Sequence, residues 1–221
     1  PLLEIMGMTL IERTCRQALE VFSAGDVVVA TDHEDIVKAV AHLGVDSFLT
    51  AEHCLTGTDR VALVSRAYPE EYIVNLQGDE PIFPSEDIDK FVRSVDQDSE
   101  KVFIGFAPIN SEEEFNSTST PKVVLGPNND VLYASRAPIP GSKDASFNFG
   151  YRQICIYGFS HKALMQFCGV EKTPLELVED IEMLRFLERG IGLRGVQLSD
   201  KSIPVDNPSD IARVEQRLSK L

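Results

Sequence analysis

Two acidic stretches far apart in the chain carry residues that could do chemistry together. One is Gln77-Gly78-Asp79-Glu80-Pro81, which breaks off the apolar run Tyr72-Ile73-Val74-Asn75-Leu76; the other is Ile203-Pro204-Val205-Asp206-Asn207-Pro208. Asp79 stands where a strand gives way to a loop. In open α/β sheets ligands lie just beyond the carboxyl ends of the strands, so a carboxylate there faces the site. Asp206 sits between an extended segment and a helix start. Singly, each acid also suits a helix cap or a turn, although Ser85 is the better cap for the helix that follows Asp79. As a pair they suit an Mg²⁺–nucleotide site, because magnesium takes one or two protein carboxylates, several waters and the phosphate oxygens of its substrate.

Three further groups accompany the acids. Thr56-Gly57-Thr58-Asp59-Arg60 is a small-residue turn opening a helix. Its amides suit an anion or a base edge, and plain N-capping by Thr58 accounts for the same residues. Arg136, before a Pro-rich loop, is either a solvated loop residue or a fork for a carboxylate or phosphate. Glu176, Glu179, Glu182 and Arg185 recur every three residues, which for at least two of them reads as a solvated helix face with salt bridges. The four histidines and four cysteines show no metal-ligand spacing and no C-x-x-C pair, so reduced core thiols are expected.

The elements that must position these residues alternate. Helical periodicity covers Thr9 to Phe22, Glu34 to Leu43, Thr58 to Ala67 and residues 86–95. Between them lie strand-like runs at Val27 to Ala30, Ser47 to Leu49 and Tyr72 to Leu76, the last expected as a buried strand of a parallel sheet. This is the pattern of a doubly wound α/β body. After residue 100 the pattern changes. Strands are expected at Lys101 to Ile109, Lys122 to Leu125, Val131 to Tyr133 and Gln153 to Phe159, with a hairpin turned by Gly126-Pro127-Asn128-Asn129-Asp130. A short helix is expected from Lys162 to Phe167, a long one from Leu175 to Leu187 entered through Thr173-Pro174, a strand from Leu193 to Leu198, and a closing helix from Pro208 capped by Asn207. The chain is expected to be a single domain, residues 1–221, with an antiparallel segment at roughly 110–170 inserted as an appendage.

At 221 residues, 43% hydrophobic and 25% charged, the chain has the composition of an ordinary globular domain. A net charge of −14 argues against non-specific nucleic-acid binding or an anionic membrane surface. No run reaches the length of a membrane span, and Pro1-Leu2-Leu3 carries no basic leader, so a cytoplasmic protein is expected.

Taken together, these residues resemble the 3-deoxy-D-manno-octulosonate (Kdo) cytidylyltransferases, or CMP-Kdo synthetases. The matching runs, in family order, are Val29-Ala30-Thr31-Asp32, Gly57-Thr58-Asp59-Arg60, Val74 to Pro81, Tyr133-Ala134-Ser135-Arg136, Ile156-Tyr157-Gly158, Pro174-Leu175-Glu176 with Glu182 to Arg185, and Val205-Asp206-Asn207-Pro208. The resemblance implies an α/β fold, nucleotide-diphosphosugar-transferase-like (Rossmann-like), with a mixed sheet and a small antiparallel β appendage that makes a homodimer. It implies transfer of CMP from CTP to Kdo with release of pyrophosphate, for lipopolysaccharide assembly, with Mg²⁺ on Asp79 and Asp206. Cytosine is implied near Thr56, Gly57 and Thr58, and the sugar near Gln77, Arg136, Tyr157 and Glu182.

Three departures carry expectations of their own. The family begins with a strand and a phosphate-gripping Arg/Ser/Gly/Lys loop just before the segment matching Pro1-Leu2-Leu3. Poorer turnover and lower stability are therefore expected of this chain than of a form carrying that segment. Gln153 stands where the family often has His, and Met183 where Gln is common. Both positions fall on the implied sugar side, which suggests an altered sugar preference, such as an amino-substituted Kdo or another 3-deoxy-ulosonic acid. Two other readings compete. A nucleotide-sugar glycosyltransferase would usually show an Asp-x-Asp metal motif, which Asp79-Glu80 is not; a non-catalytic nucleotide-binding or dimerisation module would bind CTP without turnover.

Overall fold

The structure, a computed structural model, describes residues 1–50, 54–68, 72–95, 100–205 and 207–220. A small antiparallel pair, β1 (Glu4–Ile5) and β2 (Met8–Thr9), leads into α1 (Leu10–Leu19), capped by the Thr9 hydroxyl. β3 (Val28–Thr31), α2 (Glu34–Val40) and β4 (Asp46–Leu49) form a βαβ unit with parallel strands, a two-stranded sheet of its own. Next come α3 (Gly57–Ser65), β5 (Tyr72–Leu76), α4 (Ser85–Ser94), β6 (Val102–Pro108) and α5 (Glu112–Asn116). β7 (Lys122–Leu125) and β8 (Val131–Ser135) make the expected hairpin. Asn128 and Asn129 turn it with φ of 60° and 59°, a region asparagine tolerates better than most residues. The chain closes through β9 (Tyr151–Ser160), α6 (His161–Phe167), α7 (Pro174–Glu179), α8 (Met183–Glu188), β10 (Leu193–Gln197) and α9 (Pro208–Leu218).

β9 holds the larger sheet together. β6 runs antiparallel along one of its edges, with β10 parallel beyond β6. On the other edge, β7 pairs with the start of β9 and β5 with its last five residues. The segment at 110–170 is therefore continuous with the body, because β9 is the strand that the rest of the sheet is built on. The expected parallel setting of β5 is corrected: its strand partner is β9, and the pairing is antiparallel. Its five residues are half-buried rather than buried.

Side-chain alternation along these strands supplies two cores. Val102, Ile104 and Phe106 of β6 and Tyr157 and Phe159 of β9 meet Phe167, Leu184 and Phe186 from α6 and α8. On the opposite face Phe103, Ile154 and Ile156 meet Ile88 and Phe91 of α4. Period-2 alternation puts both sets of apolar residues to use, so the sheet is covered on both sides.

Two expectations about helices fail. Ser85 is the first residue of α4, not its cap; the cap position is Pro84, which supplies no side-chain bond. The helix expected from Leu175 to Leu187 is broken, since Asp180 takes a left-handed conformation (φ 49°, ψ 48°) between α7 and α8. The break is stabilised from outside the segment: Arg136 donates from Nε to the Glu179 carbonyl at 2.6 Å and from Nη2 to the Asp180 carbonyl at 3.0 Å. Helical periodicity cannot reveal a cap supplied from the end of β8.

Candidate active site

A polar cleft of about 1370 Å³ opens where β5 ends and β9 begins. Asp79 reaches it from the loop after β5, as expected. The second acidic stretch is zipped onto that loop. Val205 donates its backbone N–H to the Asp79 carbonyl at 2.9 Å, and Ile203 donates to the Ile82 carbonyl at 3.1 Å. Pro204 and Asn207 line the cleft. Asp206 itself lies outside the described residues. The helix-cap role open to it at the sequence level is filled by Asn207, in a capping box with Asp210.

The Thr56 turn is tied down more tightly than the sequence suggests. Thr56, not Thr58, caps α3: its Oγ1 accepts from the Asp59 amide at 3.2 Å and donates to Asp59 Oδ2 at 2.8 Å. The Thr58 amide, expected to be open to a ligand, donates to Glu182 Oε2 at 3.0 Å. Gln77 Nε2 donates to Glu182 Oε1, also at 3.0 Å. Glu182 thus joins α3, the β5 loop and the entry to α8 at the cleft wall. Burial raises its carboxyl pKa, against the lowering effect of hydrogen bonds from Thr58 and Thr56. Gly57 opens α3 beside Gln77, where a Cβ would stand 3.8 Å from Gln77 Nε2.

From β9, Gln153, Cys155 and Tyr157 line the same cleft. Gln153 Nε2 donates to the Tyr157 hydroxyl at 2.7 Å. Burial pushes both the phenol and the thiol well above their ordinary values, so both stay neutral. Gln153 is only 8% exposed, and its Oε1 is a buried acceptor without a donor among the described residues.

Two sequence readings change here. Arg136 lines the cleft, but its guanidinium is committed to the Glu179 and Asp180 carbonyls and, from Nη1, to the Thr118 carbonyl at 2.9 Å. Met183 is fully buried in the core against Leu184 and Phe186, so it does not line the cleft. Nor do the recurring acids form a solvated face. Glu179 accepts from Ser135 Oγ at 2.6 Å and from the Arg136 amide at 2.8 Å, while Glu176 is 1% exposed and bound to Arg185. Sequence reasoning missed the Arg185–Asp59 link across 126 residues and the wholly buried Lys122. The ammonium of Lys122 donates at 2.6 Å to the carbonyls of Ser117 and Arg136. The available signal was the lone basic residue in each apolar setting, Lys122-Val123-Val124 and Met183 to Leu187. Among the described residues no group of three or more His, Cys, Asp or Glu could hold a metal ion.

A two-sided α/β sheet with a carboxylate loop at a strand end, facing a large polar cleft, is the arrangement of a nucleotide-handling enzyme. Comparison with known proteins agrees: the cytidylyltransferase family model matches residues 1–202. The 3-deoxy-manno-octulosonate cytidylyltransferase of Protochlamydia amoebophila is 36% identical over 228 residues, spanning 100% of this chain and 88% of that protein. Its counterpart from Psychromonas ingrahamii is 37% identical over 237 residues, spanning 99% and 92%. A solved CMP:2-keto-3-deoxy-manno-octonic acid synthetase complexed with CTP matches with a TM-score of 0.90 at 29% identity, covering 100% of this chain and 91% of that one. An inositol-1-phosphate CTP transferase from T. maritima shares the fold alone, with a TM-score of 0.69 at 16% identity and coverage of 99% and 85%. The chain belongs to the 3-deoxy-manno-octulosonate cytidylyltransferase family.

Proposed function

We propose that this protein transfers CMP from CTP to the anomeric hydroxyl of Kdo or a related 3-deoxy-ulosonic acid, releasing pyrophosphate, for lipopolysaccharide assembly. The observation that carries this reading is the backbone bond from Val205 to Asp79, which draws the two acidic stretches together at the mouth of the cleft. The sugar oxygen forms the new bond to the α-phosphorus as the bond to the pyrophosphate oxygen breaks, and the hydroxyl proton passes to water. Asp79 and Asp206 would hold Mg²⁺, which supplies charge neutralisation on the phosphates.

Cytosine is assigned to the Thr56–Thr58 turn, and the sugar to the wall of Gln77, Gln153, Tyr157 and Glu182. Arg136 acts on this wall by holding the break between α7 and α8. The homodimer reading is supported by exposed apolar residues on β8 and α7, where Leu132 is 62%, Leu177 64% and Val178 83% exposed. A cytoplasmic location belongs to the same proposal; no helix among the described residues is long and apolar enough to cross a membrane.

The test is pyrophosphate release from CTP with Mg²⁺ and a panel of ulosonic acids, alongside ultracentrifugation for the dimer. Release that disappears in Asp79→Ala and in Asp206→Ala is the expected result. CTP binding with no release on any sugar would overturn the transferase reading in favour of a nucleotide-binding module.

A further inference from the structure

We infer that Arg185, which no substrate can touch, is a positioning residue for the transfer, setting the Thr56 hydroxyl through Asp59 and the Glu182 carboxylate through α8. The inference rests on the transferase reading for its catalytic meaning, and on the geometry alone for the positioning.

Arg185 is 0% exposed, and its guanidinium lies 3.8 Å from the centre of the Phe167 ring. Nε and Nη2 donate to Glu176 at 2.7 and 2.6 Å, while Nη1 and Nη2 donate to Asp59 at 3.0 and 3.1 Å. One cation therefore serves two carboxylates from different helices. Asp59 has a second task, because its Oδ2 accepts the Thr56 hydroxyl at 2.8 Å. Where Arg185 places that carboxylate, the Thr56 hydroxyl must follow, and Thr56 lines the cleft.

A second linkage runs along the chain. Arg185 stands three residues after Glu182, whose Oε2 accepts the Thr58 amide in the first turn of α3. The arginine thus clamps α8 to α3 from behind while Glu182 and the Thr58 amide meet in front. The groups facing Glu182 are Asp59 from α3 and Tyr157 and Cys155 from β9, and Arg185 is the cation that balances Asp59. A planar fork with several fixed donors can hold both carboxylates at once, which a lysine ammonium cannot do in the same geometry.

Two variants of the full chain test this. Arg185→Lys keeps the charge and loses the fork. The triple variant Arg185→Met, Asp59→Asn, Glu176→Gln removes all three charges together, so that no unpaired charge is left to unfold the core. Amide hydrogen exchange at Thr58 and Asp59 is read without substrate, and KM for CTP and for the sugar is read in turnover. Expected in both variants is exchange at those amides faster by about tenfold, with KM for at least one substrate raised about tenfold at little change in the β6 and β9 amides. Unchanged exchange and unchanged KM in a folded variant would overturn the inference. If the unsubstituted chain shows no turnover, the transferase reading fails separately, and exchange at Thr58 and Asp59 still decides the positioning.

Discussion

The cleft has two unlike walls. On the inner wall the polar groups are held in three hydrogen-bonded sets: Gln77 and the Thr58 amide on Glu182, Gln153 on Tyr157, and Thr56 on Asp59, which reaches back to the buried Arg185. On the outer wall the contacts are exposed to solvent: Asn110 donates to Asp200 at 2.8 Å, and Arg213, 67% exposed, pairs with Asp210 at 3.3 Å. Two buried cations anchor that wall from beneath. Arg152 pairs with Glu114 at 3.3 Å and donates to the Ser202 carbonyl, and Lys122 holds the Ser117 and Arg136 carbonyls. The difference separates two duties. Polar groups fixed before substrate arrives act without reorganising, which is where electrostatic catalysis gains most. Exposed loops on buried anchors can adjust to what is bound.

That contrast can be broken at several points. Arg185→Met should have the largest effect, about 3–5 kcal/mol of lost stability, because it strands the Asp59 and Glu176 carboxylates in the core; denaturant unfolding reads it directly. Asp79→Asn should lower turnover about 100-fold with little change in unfolding midpoint, since the side chain meets the cleft rather than the core. A stability loss without a rate loss would remove Asp79 from the site. Gln153→Leu removes the bond that holds the Tyr157 hydroxyl, and should raise KM for the sugar about tenfold and leave KM for CTP alone.

Lys122 sharpens the comparison through pH. Burial, helped by the charge of Arg136, lowers its pKa to about 8 from the ordinary 10.5. Between those values the unfolded chain keeps a proton that the folded chain has given up, so this residue makes stability rise with pH across the window. Lys122→Met should flatten that rise, as measured by denaturant titration at about pH 7 and about pH 10. The smallest effect belongs to the outer wall: Arg213→Ala should change stability by less than about 0.5 kcal/mol.

The acidic loop at Asp79 was readable because a β-branched run ending in Gly and Pro leaves few structural duties for a carboxylate. The hairpin at Asn128-Asn129 and the Asn207-Pro208 helix start were readable for the same kind of reason, as each is set by residues within a turn of one another. The assignments that failed depended on distant partners. Glu176, Glu179 and Glu182 have the spacing of a solvated face, yet Glu179 and Glu182 are taken up by Ser135 and Thr58 from other parts of the chain, and Glu176 by Arg185 across the break at Asp180. The amide of Thr58 reads as free until Glu182 arrives from 124 residues away.

The sequence by itself determined the alternation of strand and helix, the turns, the caps at Thr173 and Asn207, and the two acidic stretches, because propensity and capping act over a few residues. Only the tertiary structure decided that β5 runs antiparallel to β9, that the helix breaks at Asp180, and that Arg136 serves carbonyls. Each of those outcomes turns on a buried polar group finding a partner, and in a folded chain that partner is chosen by proximity in space, whatever the distance in sequence.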